Sequence, residues 1–313
     1  MYDLHNWAGF FKQPAIFAEP RKILEPGDAV FTIGSCFALE VRKAVAARGY
    51  KTYPDYVGIG LEPKTEMFDA IPLRDMTAHY DTFTMRQEFE AAFGEWPDRE
   101  VGYWKISGTR ANELMKIGEL FQDPYRKSTF SVSPEKLAAL SDRVTKAIRE
   151  GLDRAKVVVI TLGLTEVWQH NASGRYICRP PGSGNGGGQG LATFKASKFR
   201  ENYENVKAML DMLFARYPEK QVVLSVSPVR LERTYTNYDV GTANLESKSI
   251  LRAVAGQISE EYAARVLYFP SYEMAMAGIG GITGTGNVFM ADGRHVEPSF
   301  VQTVTNSFVK LVS

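Results

Sequence analysis

Four histidines, His5, His79, His170 and His295, are the only imidazole bases available to this chain. A serine or cysteine nucleophile needs such a base. His5 lies in an irregular, aromatic N-terminus, and His170 lies in the polar stretch His-Asn-Ala-Ser-Gly, so both read as surface residues. His79 stands beside Tyr80 and Asp81 with nothing further to support it. His295 closes Asp292-Gly293-Arg294-His295. An aspartate three residues before a histidine can fold back in one turn and accept the Nδ1 proton. That fixes the tautomer, turns Nε2 outward and stabilises the imidazolium when it forms. A surface turn can carry the same short motif, so the spacing needs a partner elsewhere.

The partner on offer is Phe31-Thr32-Ile33-Gly34-Ser35-Cys36-Phe37-Ala38, where an apolar run from Ala29 gives way to a helical pattern. A serine at a strand-to-helix turn can be a nucleophile, or only the N-cap of the helix. Cys36 is a rival nucleophile, because a thiol at a helix N-terminus ionises more easily. Adjacent residues leave such a turn in different directions, so only one of the pair faces a base. No His-x-x-x-His or Cys-x-x-Cys spacing suggests a metal, and none is expected. The glycine-rich stretches 181–190 and 278–286 lack the Lys-Ser/Thr pair of a phosphate loop, so they read as loops and no cofactor is expected.

The elements that must position these residues follow from apolar periodicity. Short apolar runs at 29–33, 50–53, 156–162, 221–226 and 266–269 read as strands. Between them, helices are expected from Phe37 to Gly49, after Ser133-Pro134, over 194–216 and over 244–263, with a last one at 298–312. Strands alternating with helices argue for a parallel sheet covered on both faces. Ligands collect at the carboxyl ends of such strands. Here those ends are Gly34-Ser35-Cys36, Gly163-Leu164-Thr165-Glu166 and Ser227-Pro228-Val229-Arg230, which should share one edge. Residues 54–130 break the alternation. They are rich in proline and aromatics, with short helices expected near 64–70, 84–93 and 110–120 and a strand at 101–106. This reads as an insertion or cap on a single domain spanning 1–313.

Composition narrows the function. Lys plus Arg is 37 and Asp plus Glu is 36, so no basic footprint for nucleic acid exists. Two cysteines make no disulfide framework. The N-terminus does not read as a signal peptide, and no apolar run reaches the ~20 residues needed to span a membrane. A cytoplasmic location is expected, and the oligomeric state is left open.

Taken together and in order, several stretches resemble the GSCFA family: Gly34-Ser35-Cys36-Phe37-Ala38, Thr161-Leu162-Gly163-Leu164-Thr165-Glu166-Val167-Trp168, Ser225-Val226-Ser227-Pro228-Val229-Arg230, Asn244 with Ser247-Lys248, Tyr268-Phe269-Pro270-Ser271-Tyr272-Glu273, and Asp292-Gly293-Arg294-His295. The resemblance covers residues 29–300 and links the chain to the SGNH (GDSL-like) hydrolases. It implies a flavodoxin-like three-layer α/β sandwich with a mainly parallel five-stranded sheet. It also implies an esterase with Ser35 as nucleophile, His295 as base and Asp292 orienting it. The oxyanion site would use the backbone of Ser35 beside Cys36, a glycine matched by Gly60 or its rival Gly58, and an Asn whose place in Gly163-Leu164-Thr165-Glu166 is taken by Thr165. Glu166 would hold a substrate hydroxyl or pair with Arg230. Asn244, Ser247 and Lys248 read plainly as an N-cap and first turn. A small acyl ester is the implied substrate, with an O-acetyl group on a carbohydrate one form of it. An O-acyltransferase using the same residues and a non-catalytic carbohydrate-binding protein are the alternatives.

Overall fold

The computed structural model describes residues 20–55, 59, 78–96, 102–108, 118–127, 129–178, 190–276 and 288–313. In chain order the elements are β1 (Ala29–Gly34), α1 (Cys36–Ala46), β2 (Lys51–Tyr53), α2 (Thr82–Phe93), β3 (Trp104–Ile106), β4 (Leu120–Gln122), β5 (Phe130–Ser131), α3 (Pro134–Arg154), β6 (Val157–Leu162), β7 (Glu166–His170), β8 (Tyr176–Ile177), β9 (Ala192–Ala196), α4 (Phe199–Arg216), β10 (Gln221–Val226), α5 (Val240–Glu261), β11 (Val266–Phe269), α6 (Ser271–Met276) and α7 (Pro298–Val312).

The five strands expected from the apolar runs pair in the order β11-β10-β6-β1-β2, every pair parallel. Counted by their own sequence order this is 2-1-3-4-5, the flavodoxin-like arrangement, whose ligand crevice lies at the carboxyl edge beside the first and third strands. Strand periodicity divides the core into two layers. Val158, Ile160 and Leu162 of β6 face a cluster with Met85 and Phe89 of α2, Leu140 and Val144 of α3, Val206 of α4 and Leu251 of α5. Val157 and Val159 of the same strand face Phe37 and Val41 of α1 and Phe300, Val304 and Phe308 of α7. The sheet is therefore sandwiched between two helical layers, and β6 is buried along its whole length. Part of the aromatic stretch expected as a cap, α2, belongs to the first of these layers. Residues 20–24 lie along the far end of α7, where Ile23 N–H and Leu24 N–H both donate to Val312 O.

Two expected boundaries are corrected. The helix read from 194 starts at Phe199, and Ala192–Ala196 is instead β9, paired antiparallel with β7. Phe194 packs on Trp168 across the strands with ring centres 5.3 Å apart, so its apolar surface serves a sheet and not a helix face. The helix expected at 110–120 gives way at Leu120–Gln122 to β4, which pairs with β3, while 110–117 lie outside the described residues. Also outside them are the helix expected at 64–70, the glycines Gly58 and Gly60, the glycine-rich stretches 181–189 and 278–286, and His5. No helix among the described residues is long and apolar enough to cross a membrane.

Candidate active site

Gly34 ends β1 with φ at +131°, in the region that favours glycine, and a Cβ there would sit 2.3 Å from Thr161 O on β6. The chain can thus turn sharply at the strand end and present Ser35 as the N-cap of α1, its Oγ accepting from Phe37 N–H at 3.3 Å. Ser35 thus caps the helix, and it stands at the sheet's carboxyl edge. The side chain is nearly buried and lies 3.2 Å from Thr161 Oγ1. The Ser35 N–H is shared between Thr161 Oγ1 and Thr161 O, at 3.0 and 3.2 Å.

His295 is placed by a tight turn between Phe289 and Val296, which pair as an antiparallel bridge. Met290 N–H donates to His295 O and Gly293 N–H to Met290 O, both at 2.8 Å. Asp292 folds back as the spacing predicts. Its Oδ1 accepts the N–H groups of Arg294 and His295 at 2.9 Å, and its Oδ2 accepts His295 Nδ1–H at 2.5 Å. The hydrogen bond from His295, with those two backbone donors, holds the Asp292 carboxyl well below the usual carboxylate range. His295 Nε2 accepts from Arg294 Nη1 at 3.1 Å.

Ser35 and His295 line one cavity of about 340 Å³, which adjoins a larger one of about 460 Å³. Ser35, Cys36, Tyr80, Lys127, Glu232 and Arg294 line both. No hydrogen bond joins Ser35 to His295: Ser35 Oγ is bonded to Phe37 N–H and Thr161 Oγ1, and His295 Nε2 to Arg294.

The other residues singled out from the sequence meet at the same edge, with different partners. Gly163 N–H donates to Tyr80 O at 3.1 Å, and a Cβ on Gly163 would meet that oxygen at 2.5 Å. Thr165 N–H donates to Ser247 Oγ at 3.0 Å, and its carbonyl accepts from Ser197. Glu166 does not pair with Arg230. Its two oxygens accept Thr234 Oγ1–H at 2.6 Å and Tyr235 N–H at 2.8 Å, while Arg230 donates to Gly293 O and lies over the Phe289 ring. The helix at 240 is capped by Asp239, so Asn244 is not an N-cap. Asn244, Ser247 and Lys248 are instead the buried face of α5 and tie down the loops of the edge: Asn244 accepts Leu231 N–H, Ser247 accepts Thr165 N–H, and Lys248 Nζ donates to Gly163 O at 2.6 Å. Burial lowers the Lys248 ammonium to about 7, with Arg294 nearby acting in the same direction and Cys36 opposing.

Three features of the site have no signature in the sequence. The segment at Ala78–Tyr80 forms an extra bridge to Gly34, with His79 N–H donating to Gly34 O, and so brings Tyr80 into the site. Tyr80 OH accepts from Lys127 Nζ at 2.6 Å and lies 3.6 Å from Cys36 Sγ. On the far wall, Trp168 and Tyr235 meet edge to face at 5.2 Å. Behind Tyr80 lies a buried polar chain. Cys178 Sγ is 3.3 Å from His79 Nδ1, His79 Nε2 is 3.5 Å from Glu88, and Arg126 grips both Glu88 oxygens at 2.8 and 2.6 Å. Burial, with Asp81 and Glu88 nearby, pushes the Cys178 thiol well up, so it is a neutral member of the wall. Beside it burial raises Asp81 to about 6, against hydrogen bonds from Thr84. Among the described residues no cluster of histidine, cysteine and carboxylate has the makings of a metal site.

A family model covering residues 29–308 matches the chain, which therefore belongs to the GSCFA family. No curated protein matches it. Among solved structures, one described as "a putative platelet activating factor from Streptococcus pneumonia" is similar at 15% identity over 51% of this chain, with a TM-score of 0.30. The match spans 64% of that other chain, and a likeness so distant carries no argument about this one.

Proposed function

We propose that this GSCFA protein is a serine esterase of the SGNH kind, acting on a small acyl ester. The observation that carries the reading is that His295, held by Asp292, lines the same cavity as Ser35, the serine at the carboxyl edge of β1. In the proposed reaction Ser35 Oγ attacks the ester carbonyl as His295 Nε2 takes its proton. The ester C–O bond then breaks, the leaving alcohol receives that proton, and an acyl-serine remains. Water repeats the steps in reverse, and Asp292 holds the imidazole tautomer and its charge throughout.

The oxyanion donor is assigned to Tyr80. Of the donors expected from the sequence that lie among the described residues, the N–H groups of Ser35, Gly163 and Thr165 are already bonded, and Thr165 does not line either cavity. Tyr80 lines both cavities, and Lys127 donates to its hydroxyl, which strengthens that hydroxyl as a donor. An O-acyltransferase would use the same residues with a second alcohol in place of water. The Trp168–Tyr235 wall offers such an acceptor, for example a sugar ring, a flat surface. Hydrolysis of p-nitrophenyl acetate tests the proposal. Wild type should release p-nitrophenol and Ser35→Ala should not. Equal release by both, or none from wild type over a range of acyl lengths, removes it.

A further inference from the structure

One contact in the site is at odds with a base waiting for its proton. His295 Nδ1–H is committed to Asp292, so Nε2 carries the lone pair, and that lone pair is occupied by Arg294 Nη1 at 3.1 Å. A guanidinium keeps its protons at any ordinary pH, so this bond can run only from Arg294 to His295. While it persists, His295 cannot accept the Ser35 proton. Something must draw Arg294 away before the reaction begins.

The surroundings of Arg294 indicate what does so. Its Nε donates to Arg230 O at 3.2 Å, and Arg230 Nη1 donates to Gly293 O at 3.1 Å, so the two arginines are stitched together through backbone carbonyls. Arg230 is further fixed by Phe289, whose ring centre lies 3.6 Å from the guanidinium carbon. Both arginines line the larger cavity, with Lys127 also on its wall. The acids of the same wall are already engaged: Glu166 by Thr234 and Tyr235, Asp81 by Thr84, and Glu232 by Arg233. Among the described residues no carboxylate pairs with Arg230, Arg294 or Lys127. A guanidinium held on a neutral imidazole will exchange that acceptor for an anion, because a charge-assisted bond to a carboxylate or phosphate is the stronger one.

We infer that the substrate is an ester carrying an anionic group, a carboxylate or a phosphate, which Arg294 and Arg230 bind, and that binding withdraws Arg294 from His295 Nε2 and so switches the base on. The inference rests on the esterase reading for its catalytic consequence. The anion subsite itself stands on the arginines. The subsite thus sets both affinity and turnover, and neutral esters should be poor substrates because they leave His295 capped.

The test compares p-nitrophenyl butyrate, mono-p-nitrophenyl succinate and a p-nitrophenyl ester of phosphoglycolic acid, using wild type, Arg294→Gln and Arg230→Gln. Wild type should favour at least one charged ester over the neutral one by tenfold or more in kcat/KM, and whichever charged ester wins identifies the anion. Arg294→Gln should lose that preference while turning over the neutral ester several-fold faster. Arg230→Gln should raise KM for the charged ester. Equal kcat/KM for charged and neutral esters in wild type, or equal loss on all three in Arg294→Gln, overturns the inference. A second readout does not need turnover. With ¹⁵N-labelled histidine, succinate or inorganic phosphate should shift the His295 Nε2 resonance in wild type and not in Arg294→Gln. A shift without ester hydrolysis keeps the anion subsite and removes the esterase. No shift with either anion, in an enzyme that does hydrolyse esters, removes the subsite alone.

Discussion

Lys248 gives the sharpest physical prediction. The residue is 1% exposed, and among the described residues its ammonium makes one hydrogen bond, to Gly163 O. No carboxylate is among the groups that act on it; those are Cys36 and Arg294. Burial therefore lowers it from 10.5 to about 7, while in the unfolded chain it returns to the ordinary lysine value. The sign follows from proton counting. Between about pH 7 and 10.5 the folded protein holds this amine neutral and the unfolded chain holds it protonated, so unfolding takes up a proton and stability rises with pH. The rise from this residue is about 1.4 kcal/mol per pH unit, or about 2–3 kcal/mol from pH 7.5 to 9.5. Below pH 7 both states are protonated and the full penalty of the buried charge applies. Lys248→Met removes the titration and keeps most of the volume. Urea unfolding of both proteins at half-unit steps over that range checks this, with the difference between them cancelling other groups, such as Cys178, that titrate nearby. The gap in stability should move by about 2–3 kcal/mol in favour of wild type as pH rises. Parallel curves would mean that the amine keeps its proton in the fold, and the reasoning from burial would be wrong.

Other perturbations address the site and its frame. Asp292→Asn should lower kcat by about 10²–10⁴-fold through loss of the tautomer, with a melting temperature close to wild type because the carboxylate is exposed. Tyr80→Phe should lower kcat by about 10²-fold or more with little change in KM, as expected for an oxyanion donor, in the same p-nitrophenyl assay. Gly34→Ala places a methyl 2.3 Å from Thr161 O and forces an unfavourable φ, so it should destabilise by more than about 3 kcal/mol in urea titration. Glu88→Gln leaves Arg126 a buried cation without its partner, and by the same titration should destabilise by about 3–5 kcal/mol.

The sheet was readable because its strands are apolar on both faces and separated by well-marked helices. Ser133-Pro134 opening α3 and the run Val157–Leu162 are strong local signals that tertiary packing had only to accept. The Asp292–His295 pair was readable too, since a three-residue turn leaves little freedom. What was hidden depends on contacts between distant segments. Tyr80 enters the site through a single bridge from Ala78 to Gly34, which has no periodic signature. Phe194 has the same apolar character in a helix or a strand, and only Trp168 opposite decides between them. The partner of Glu166 is not legible because a carboxylate at a loop edge is satisfied as well by Thr234 Oγ1 and Tyr235 N–H as by an arginine. Nothing in the sequence marks Lys248 as buried or Arg294 as the cap on His295; both follow from where α5 and the turn at 289–296 come to rest.

The central claim is that Ser35 is a nucleophile activated by His295. Incubation with a fluorophosphonate, followed by peptide mass spectrometry, tests it most directly. One phosphonyl adduct is expected, on Ser35, formed in wild type and lost in His295→Ala. An adduct on Cys36, or labelling of Ser35 that His295→Ala leaves unchanged, would contradict it.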